Sequence, residues 1–101
     1  MLVILFRSKL TSSIDGYEEL AEEMVELGKA MPGFVEFKSF KAEDGERLSV
    51  AWWKDQETLA AWRTNTRHQF AQQMGRERFY EYFNIEVAEI VRSKQFRRGD
   101  S

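Results

Sequence analysis

The chain contains no cysteine, and that one absence removes disulfides, thiolate metal centres and a thiol nucleophile together. The same absence fits a reducing compartment, so the cytoplasm is the expected location. Histidine occurs once, at His68, which leaves it without a second imidazole for metal chelation, and no metal is expected. An excess of positive charge is also missing. Fifteen Lys and Arg against seventeen Asp and Glu give a formal net charge of −2, so no overall field draws nucleic acid or anionic lipid, and neither is an expected partner. Long apolar runs are absent too. The stretch Met1-Leu2-Val3-Ile4-Leu5-Phe6 has no basic region before it and gives way at once to Arg7 and Lys9, too short for an export signal or a membrane span. With 101 residues there is room for one domain and none for a second.

What is present is apolar and aromatic: 43% and 14% of the residues, enough for a packed interior. All three tryptophans and the histidine fall between Trp52 and His68. Residues 1 to 10 form a β-branched and aliphatic run that ends in Thr11-Ser12-Ser13 and predicts a strand and a turn. Asp15 with Glu18 resembles a capping box, and Tyr17, Leu20, Met24, Leu27 and Met31 recur at helical spacing until Pro32-Gly33. Phe34 to Phe40 and Leu48 to Trp53 predict two strands joined by a hairpin at Asp44-Gly45. Asp55 caps a short helix reaching Trp62. Thr66 with Gln69 predicts a second cap after the break at Thr64-Asn65-Thr66, with Phe70, Ala71 and Met74 carried toward the core. Gly75 ends or bends that helix, and Tyr82 to Val91 predicts the last strand.

The order β-α-β-β-α-β is that of an α+β, ferredoxin-like unit, a four-stranded antiparallel sheet with its helices on one face. Residues 1–92 make this domain and residues 93–101 a polar, locally basic tail. A half-exposed sheet alternates apolar with polar residues, yet here both parities of the first strand are apolar, and Trp52 and Trp53 face opposite sides. The second face needs a cover, which a second copy of the chain supplies as a two-fold homodimer with sheets face to face.

The Trp-Lys-Asp-x-Glu pattern at the end of the third strand, the following Trp62, and the run His68-x-x-Ala71-Gln72-x-x-Gly75-Arg76-Glu77 into Tyr80 resemble the antibiotic biosynthesis monooxygenase superfamily, whose fold is a dimeric α+β barrel. The resemblance spans roughly residues 1 to 92. It implies a pocket between helices and sheet in each subunit. Members of that superfamily include cofactor-free monooxygenases of polyaromatic phenols and quinols, haem-degrading enzymes, and proteins with no known reaction. The haem-degrading branch has an Asn on the first strand and a haem-ligating His ten residues after the Trp. This chain has Phe6-Arg7-Ser8 and Gln72 at those places, which argues against haem degradation.

The candidate catalytic residues are His68, Arg7 and Asn65, and Trp62, Phe6, Trp52, Phe70 and Tyr80 are expected to contact a small hydrophobic or aromatic ligand. His68 can accept a phenolic proton at neutral pH, or be a helix-start histidine that only hydrogen-bonds. Arg7 either turns into the pocket to stabilise a phenolate or reaches water at the sheet edge. Asn65 either donates to a bound oxygen or caps the helix break. Trp62 either stacks on a flat substrate or wedges helix against sheet. Tyr80 and Tyr82 line the pocket mouth or the dimer interface, and Arg76-Glu77-Arg78 is a solvated charge cluster. A phenol monooxygenase of this kind needs no cofactor, because the deprotonated substrate itself reduces dioxygen. The alternatives are a non-catalytic dimer that binds a small molecule in the same pocket, and a purely structural or assembly role.

Overall fold

The computed structural model describes residues 1–99. Asp100 and Ser101, the end of the expected tail, lie outside the described residues. The elements run β1 (Leu2–Leu10), α1 (Tyr17–Lys29), β2 (Phe34–Lys41), β3 (Arg47–Trp53), α2 (Gln56–Arg63), α3 (Thr66–Met74), a five-residue π-helical turn (Gly75–Phe79) and β4 (Tyr80–Glu89). The strands form one antiparallel sheet in the order β2-β3-β1-β4, which is the ferredoxin-like arrangement expected from the element order. No helix among the described residues is long and apolar enough to cross a membrane.

Strand register assigns the two faces. Leu2 pairs with Trp53 and Glu89, Ile4 with Ala51 and Val87, and Phe6 with Ser49 and Ile85. Because directly paired residues share a face, these stand together on the side that carries the helices, where Leu2 and Trp53 pack with Leu59 of α2 as the buried cluster. Val3, Leu5 and Arg7 pair with Trp52, Val50 and Leu48 on the opposite, helix-free side.

Two register shifts change which residues share a face. Between Phe34 and Glu36, β2 advances two residues while β3 advances one, from Trp53 to Trp52. Between Tyr80 and Tyr82, β4 does the same against Leu10 and Lys9. Tyr80 and Tyr82 are two residues apart, yet they lie on opposite faces.

Several termini differ from the sequence expectation. The N-cap of α1 is Gly16 with no side-chain cap, because Ile14 to Tyr17 close a turn (Tyr17 N–H to Ile14 C=O, 2.9 Å) before Asp15 can cap. Asn65, not Thr66, caps α3. The last strand begins at Tyr80 rather than Tyr82, since the π turn ends at Phe79, whose carbonyl accepts from the Thr11 N–H at 2.8 Å, and the ladder starts directly after it; the strand ends at Glu89 rather than Val91. Phe70 faces outward, 43% exposed, because α3 leans on α1, α2 and the π turn and none of its residues is buried.

Gly33 locks the end of α1 to the sheet. Its φ is +88°, its carbonyl accepts from the Lys54 N–H at 2.8 Å, and a Cβ there would lie 2.1 Å from Thr58 Oγ1. Gly33→Ala is therefore expected to lower unfolding free energy by about 2 kcal/mol or more, measured by urea denaturation. An unchanged midpoint would show that this corner relaxes freely.

Candidate functional site

The site is built outward from Trp53, which is only 1% exposed. Asp55 starts α2 by accepting from the Thr58 N–H and Oγ1, each at 2.9 Å, so the carboxyl is held below the usual carboxylate range by those two bonds. Two turns on, Trp62 stacks on Trp53 with ring centroids 6.1 Å apart and planes at 22°. On its other side the six-membered ring of Trp62 lies beside Gly28 of α1, at ordinary van der Waals distance, 3.7 Å, from where a Cβ would stand.

The helix then breaks, and the break orients the histidine. Asn65 Oδ1 accepts from the His68 N–H at 3.0 Å, and the His68 ring lies almost parallel on Trp62, with centroids 4.1 Å apart and planes at 15°. His68 Nδ1 is 3.1 Å from the Trp62 carbonyl oxygen. A carbonyl oxygen only accepts, so Nδ1 carries the hydrogen and the neutral ring keeps its lone pair on Nε2. Burial lowers the His68 pKa, and the bond to the Trp62 carbonyl opposes that in part. The ring is thus neutral at neutral pH, with one nitrogen tied and one able to accept a proton.

A second aromatic group sits on the same face at the other end of β1. Phe6 contacts Tyr80 edge-on at 5.4 Å and stacks with Phe83 at 5.7 Å, while Tyr17 of α1 meets Tyr80 at 6.0 Å. The π turn places Tyr80 here. At Gly75 a Cβ would fall 2.7 Å from the Tyr80 ring, so no larger residue fits without displacing it. Burial, reinforced by the neighbouring Tyr17 hydroxyl, pushes the Tyr80 phenol well above its ordinary range and Arg47 opposes this, so Tyr80 is a hydrogen-bond donor and not a base at neutral pH.

From Leu2 to Phe6 the strand rises about 13 Å. Ile4, Val87 and Ile85 floor the interval, and Ile85 and Val87 remain 42% and 44% exposed because helical contacts with β4 concentrate at its Tyr80 end. The helix side of β1 and β4 is an open apolar strip, with the Trp53–Trp62–His68 stack beginning beside its Leu2 end and the protonated Tyr80 phenol at its Phe6 end. Two surface hollows lie apart from it. One, of about 370 Å³, is at the start of α2 beside Lys54 and Glu57, and the other, of about 270 Å³, is between α1 and α3.

Of the eight residues singled out from the sequence, Trp62, His68 and Asn65 come together, Phe6 and Tyr80 form the second group, and three lie elsewhere. Strand alternation puts Arg7 and Trp52 on the helix-free face, separated from His68 by the sheet. Phe70 is on the outer helix surface under the Arg67 guanidinium, 4.7 Å from its ring centre. Asn65 Oδ1 is already committed to the His68 backbone. Sequence reading passed over Tyr17, Arg47 and Phe83. Helical spacing marks Tyr17 only as a core position of α1, and the facing of Phe83 depends on the bulge beside Tyr80. Among the described residues no group of three or more His, Asp or Glu gathers as a metal site.

The His68 pKa is expected below 6.5 in an NMR titration, and Trp62 fluorescence should change over the same range because the rings stack. An imidazole held neutral favours unfolding once it must charge. Stability is thus fully present above pH 6.5 and falls as pH drops from there toward the folded-state pKa. A His68 that titrates at or above 6.5 would contradict the buried, neutral ring.

Comparison with known proteins gives the family. A family model described as antibiotic biosynthesis monooxygenase matches residues 2–74. The uncharacterized protein YqjZ of Bacillus subtilis is 34% identical over 96 residues, covering 95% of this chain and 84% of that protein. A jasmonate monooxygenase of Pyricularia oryzae is 29% identical over 107 residues, and the match takes in all of this chain but only 50% of that longer protein. Among solved structures, SnoaB of Streptomyces nogalater, a cofactor-independent oxygenase, superimposes with a TM-score of 0.77 at 12% identity over 91% of this chain and 94% of its own. A protein of Deinococcus radiodurans described as a putative antibiotic biosynthesis monooxygenase gives 0.82 at 9% identity over 96% and 99%. At these identities the structural matches speak for the fold, while the family model covers most of the chain. This chain belongs to the antibiotic biosynthesis monooxygenase family.

Proposed function

We propose that the protein is a cofactor-independent monooxygenase that oxidises a small aromatic phenol or quinol on the helix side of its sheet. The observation that carries this reading is the half-buried His68, neutral, tied at Nδ1 to the Trp62 carbonyl and free to accept a proton at Nε2. A phenol lying on the apolar strip would give its proton to Nε2, and the resulting phenolate is electron-rich enough to reduce dioxygen by one electron. Recombination of the phenoxyl radical with superoxide forms a carbon–oxygen bond, His68 returns its proton to the resulting peroxide, and the hydroperoxide loses water to leave a quinone. The sum is one phenol and one dioxygen to one quinone and one water. Asn65 acts here by setting the His68 backbone, and Trp62 supplies a flat apolar wall. Tyr80, protonated, fits the donor role for substrate oxygen that the sequence had offered to Arg7.

The same reading includes a homodimer. The helix-free face carries Val3, Leu5, Leu48, Val50 and Trp52 in one register-aligned patch, which face-to-face packing of two sheets would cover. Trp52→Glu is expected to convert the dimer to monomer in analytical ultracentrifugation while far-UV circular dichroism is retained. A dimer unaffected by that charge would place the interface elsewhere.

Oxygen uptake decides the activity, measured over hydroquinones, polycyclic phenols and jasmonate, the last because a relative bears that name. Uptake above the uncatalysed rate, reduced on the order of 100-fold in His68→Gln with the fold intact, is the expected result for a lost general base. If no compound is consumed but ligands still quench Trp62 fluorescence, the protein binds a small molecule without turning it over.

A further inference from the structure

One row beyond Phe6, strand pairing brings Lys41, Arg47, Ser8 and Phe83 side by side on the helix side of the sheet. Lys41 and Arg47 are therefore directly opposed cations, an arrangement that costs stability in an antiparallel pair. Neither has an ion-pair partner among the described residues, although the chain as a whole carries a formal net charge of −2. The acidic residue next to Arg47 in sequence, Glu46, is engaged by Tyr82 on the opposite side, at 2.6 Å.

Arg47 is half-buried and held by its flat face. Its guanidinium lies over the Tyr17 ring, 5.9 Å from the centre, and Tyr17 in turn meets Tyr80 at 6.0 Å. That contact occupies the face of the planar group and leaves its N–H edge uncommitted, since the side chain makes no hydrogen bond or ion pair among the described residues. A guanidinium fixed by stacking, with its in-plane fork free, matches a carboxylate, which accepts two parallel N–H bonds from it. Tyr80 adds a neutral donor, and Arg47 is the charged group that acts on its hydroxyl, opposing the rise that burial causes. Beyond the same ring group, Arg76 stands over Phe83 at 6.0 Å and contributes a further, exposed cation.

We infer that Arg47, supported by Lys41 and the Tyr80 hydroxyl, binds a carboxylate of the substrate at the Phe6 end of the apolar strip. This deepens the proposed function and rests on it for the reacting end of the molecule. The stack that ends in His68 begins beside Leu2, and Leu2 and Phe6 are about 13 Å apart along β1. A substrate that meets both carries its phenol and its carboxylate at opposite ends of an apolar body, which rests on Ile4, Ile85 and Val87. The substrate class is thus an elongated phenolic acid rather than a simple quinol. Such a ring keeps a free carbon beside its hydroxyl, where oxygen adds in the proposed reaction.

Isothermal titration calorimetry with para-hydroxycinnamate and its methyl ester tests the subsite, because the two differ by one charge and little in shape. The acid is expected to bind on the order of 30-fold more tightly than the ester, in the range of a charge-assisted, two-point contact. Arg47→Gln should bring that ratio toward one, Lys41→Gln should lower it less, and added salt should weaken the acid alone. The ortho isomer, whose two groups occupy neighbouring ring positions, should bind less tightly than the para acid; equal affinity for it overturns the end-to-end placement. Equal affinity for acid and ester in the intact protein, or binding of neither, overturns the inference, and that comparison requires no variant to fold. A preference for the acid that survives Arg47→Gln overturns it as well. Oxygen uptake separates this inference from the reading beneath it. Hydroquinone oxidation that depends on His68, with no preference for the acid, leaves the oxygenase and removes the subsite, whereas an Arg47-dependent preference with no uptake on any compound keeps the subsite and removes the oxygenase.

Discussion

The burial of Trp53 between the sheet and α2 is the contact on which the rest of this molecule depends. Its side chain is held by Leu2 from the neighbouring strand and Leu59 from the helix above, so one residue joins the two layers. Trp62 registers on it, His68 registers on Trp62, and the imidazole inherits its position from the core through two successive ring stacks. Placement of a base by packed aromatic rings is stiff, because each ring has few torsions to relax and dense surroundings resist displacement. The backbone supports the same geometry independently, through the Asn65 cap and the Trp62 carbonyl.

A second constraint is the division of labour between the sheet's two faces. The helix side holds the imidazole, the buried phenol and the apolar strip between them. The opposite side holds Arg7, Trp52 and a patch of aliphatic residues in register with them. Polar links on that opposite side, such as Tyr82 donating to Glu46 at 2.6 Å, brace β4 against the hairpin end and leave the helix side free of polar cross-ties from that residue.

Much of this architecture is legible in the residues. Element order, the Asp44-Gly45 hairpin, the Asp55 cap and the opposite facing of Trp52 and Trp53 follow from periodicity and capping chemistry, because each depends on neighbours a few positions away. The candidate site is less legible, for physical reasons that can be named. Arg7 was assignable to a face only once the pairing of β1 was known. Tyr80 and Tyr82 appear equivalent until a bulge places them on opposite sides. The π turn follows no simple spacing rule, and Phe70 looks like a core residue by helical spacing although α3 rests on other helices rather than on the sheet. What failed was mostly long-range register, together with the local caps expected at Asp15 and Thr66, which fall instead at Gly16 and Asn65.

The position of β1 in the sheet has a bearing on how the chain is made. β1 gains its neighbour β3 through contacts 39 to 51 residues apart, but its other neighbour, β4, pairs Leu2 with Glu89. During synthesis, therefore, one flank of the central strand stays unpaired until β4, some 70 to 87 positions further along, has emerged, with an aliphatic sequence and open hydrogen-bonding groups on display. β4 is the strand that closes this edge. Arrested or truncated chains lacking β4 should be the form of this protein most in need of a chaperone, and the Ile90 bond to Met1 marks the point at which that need ends.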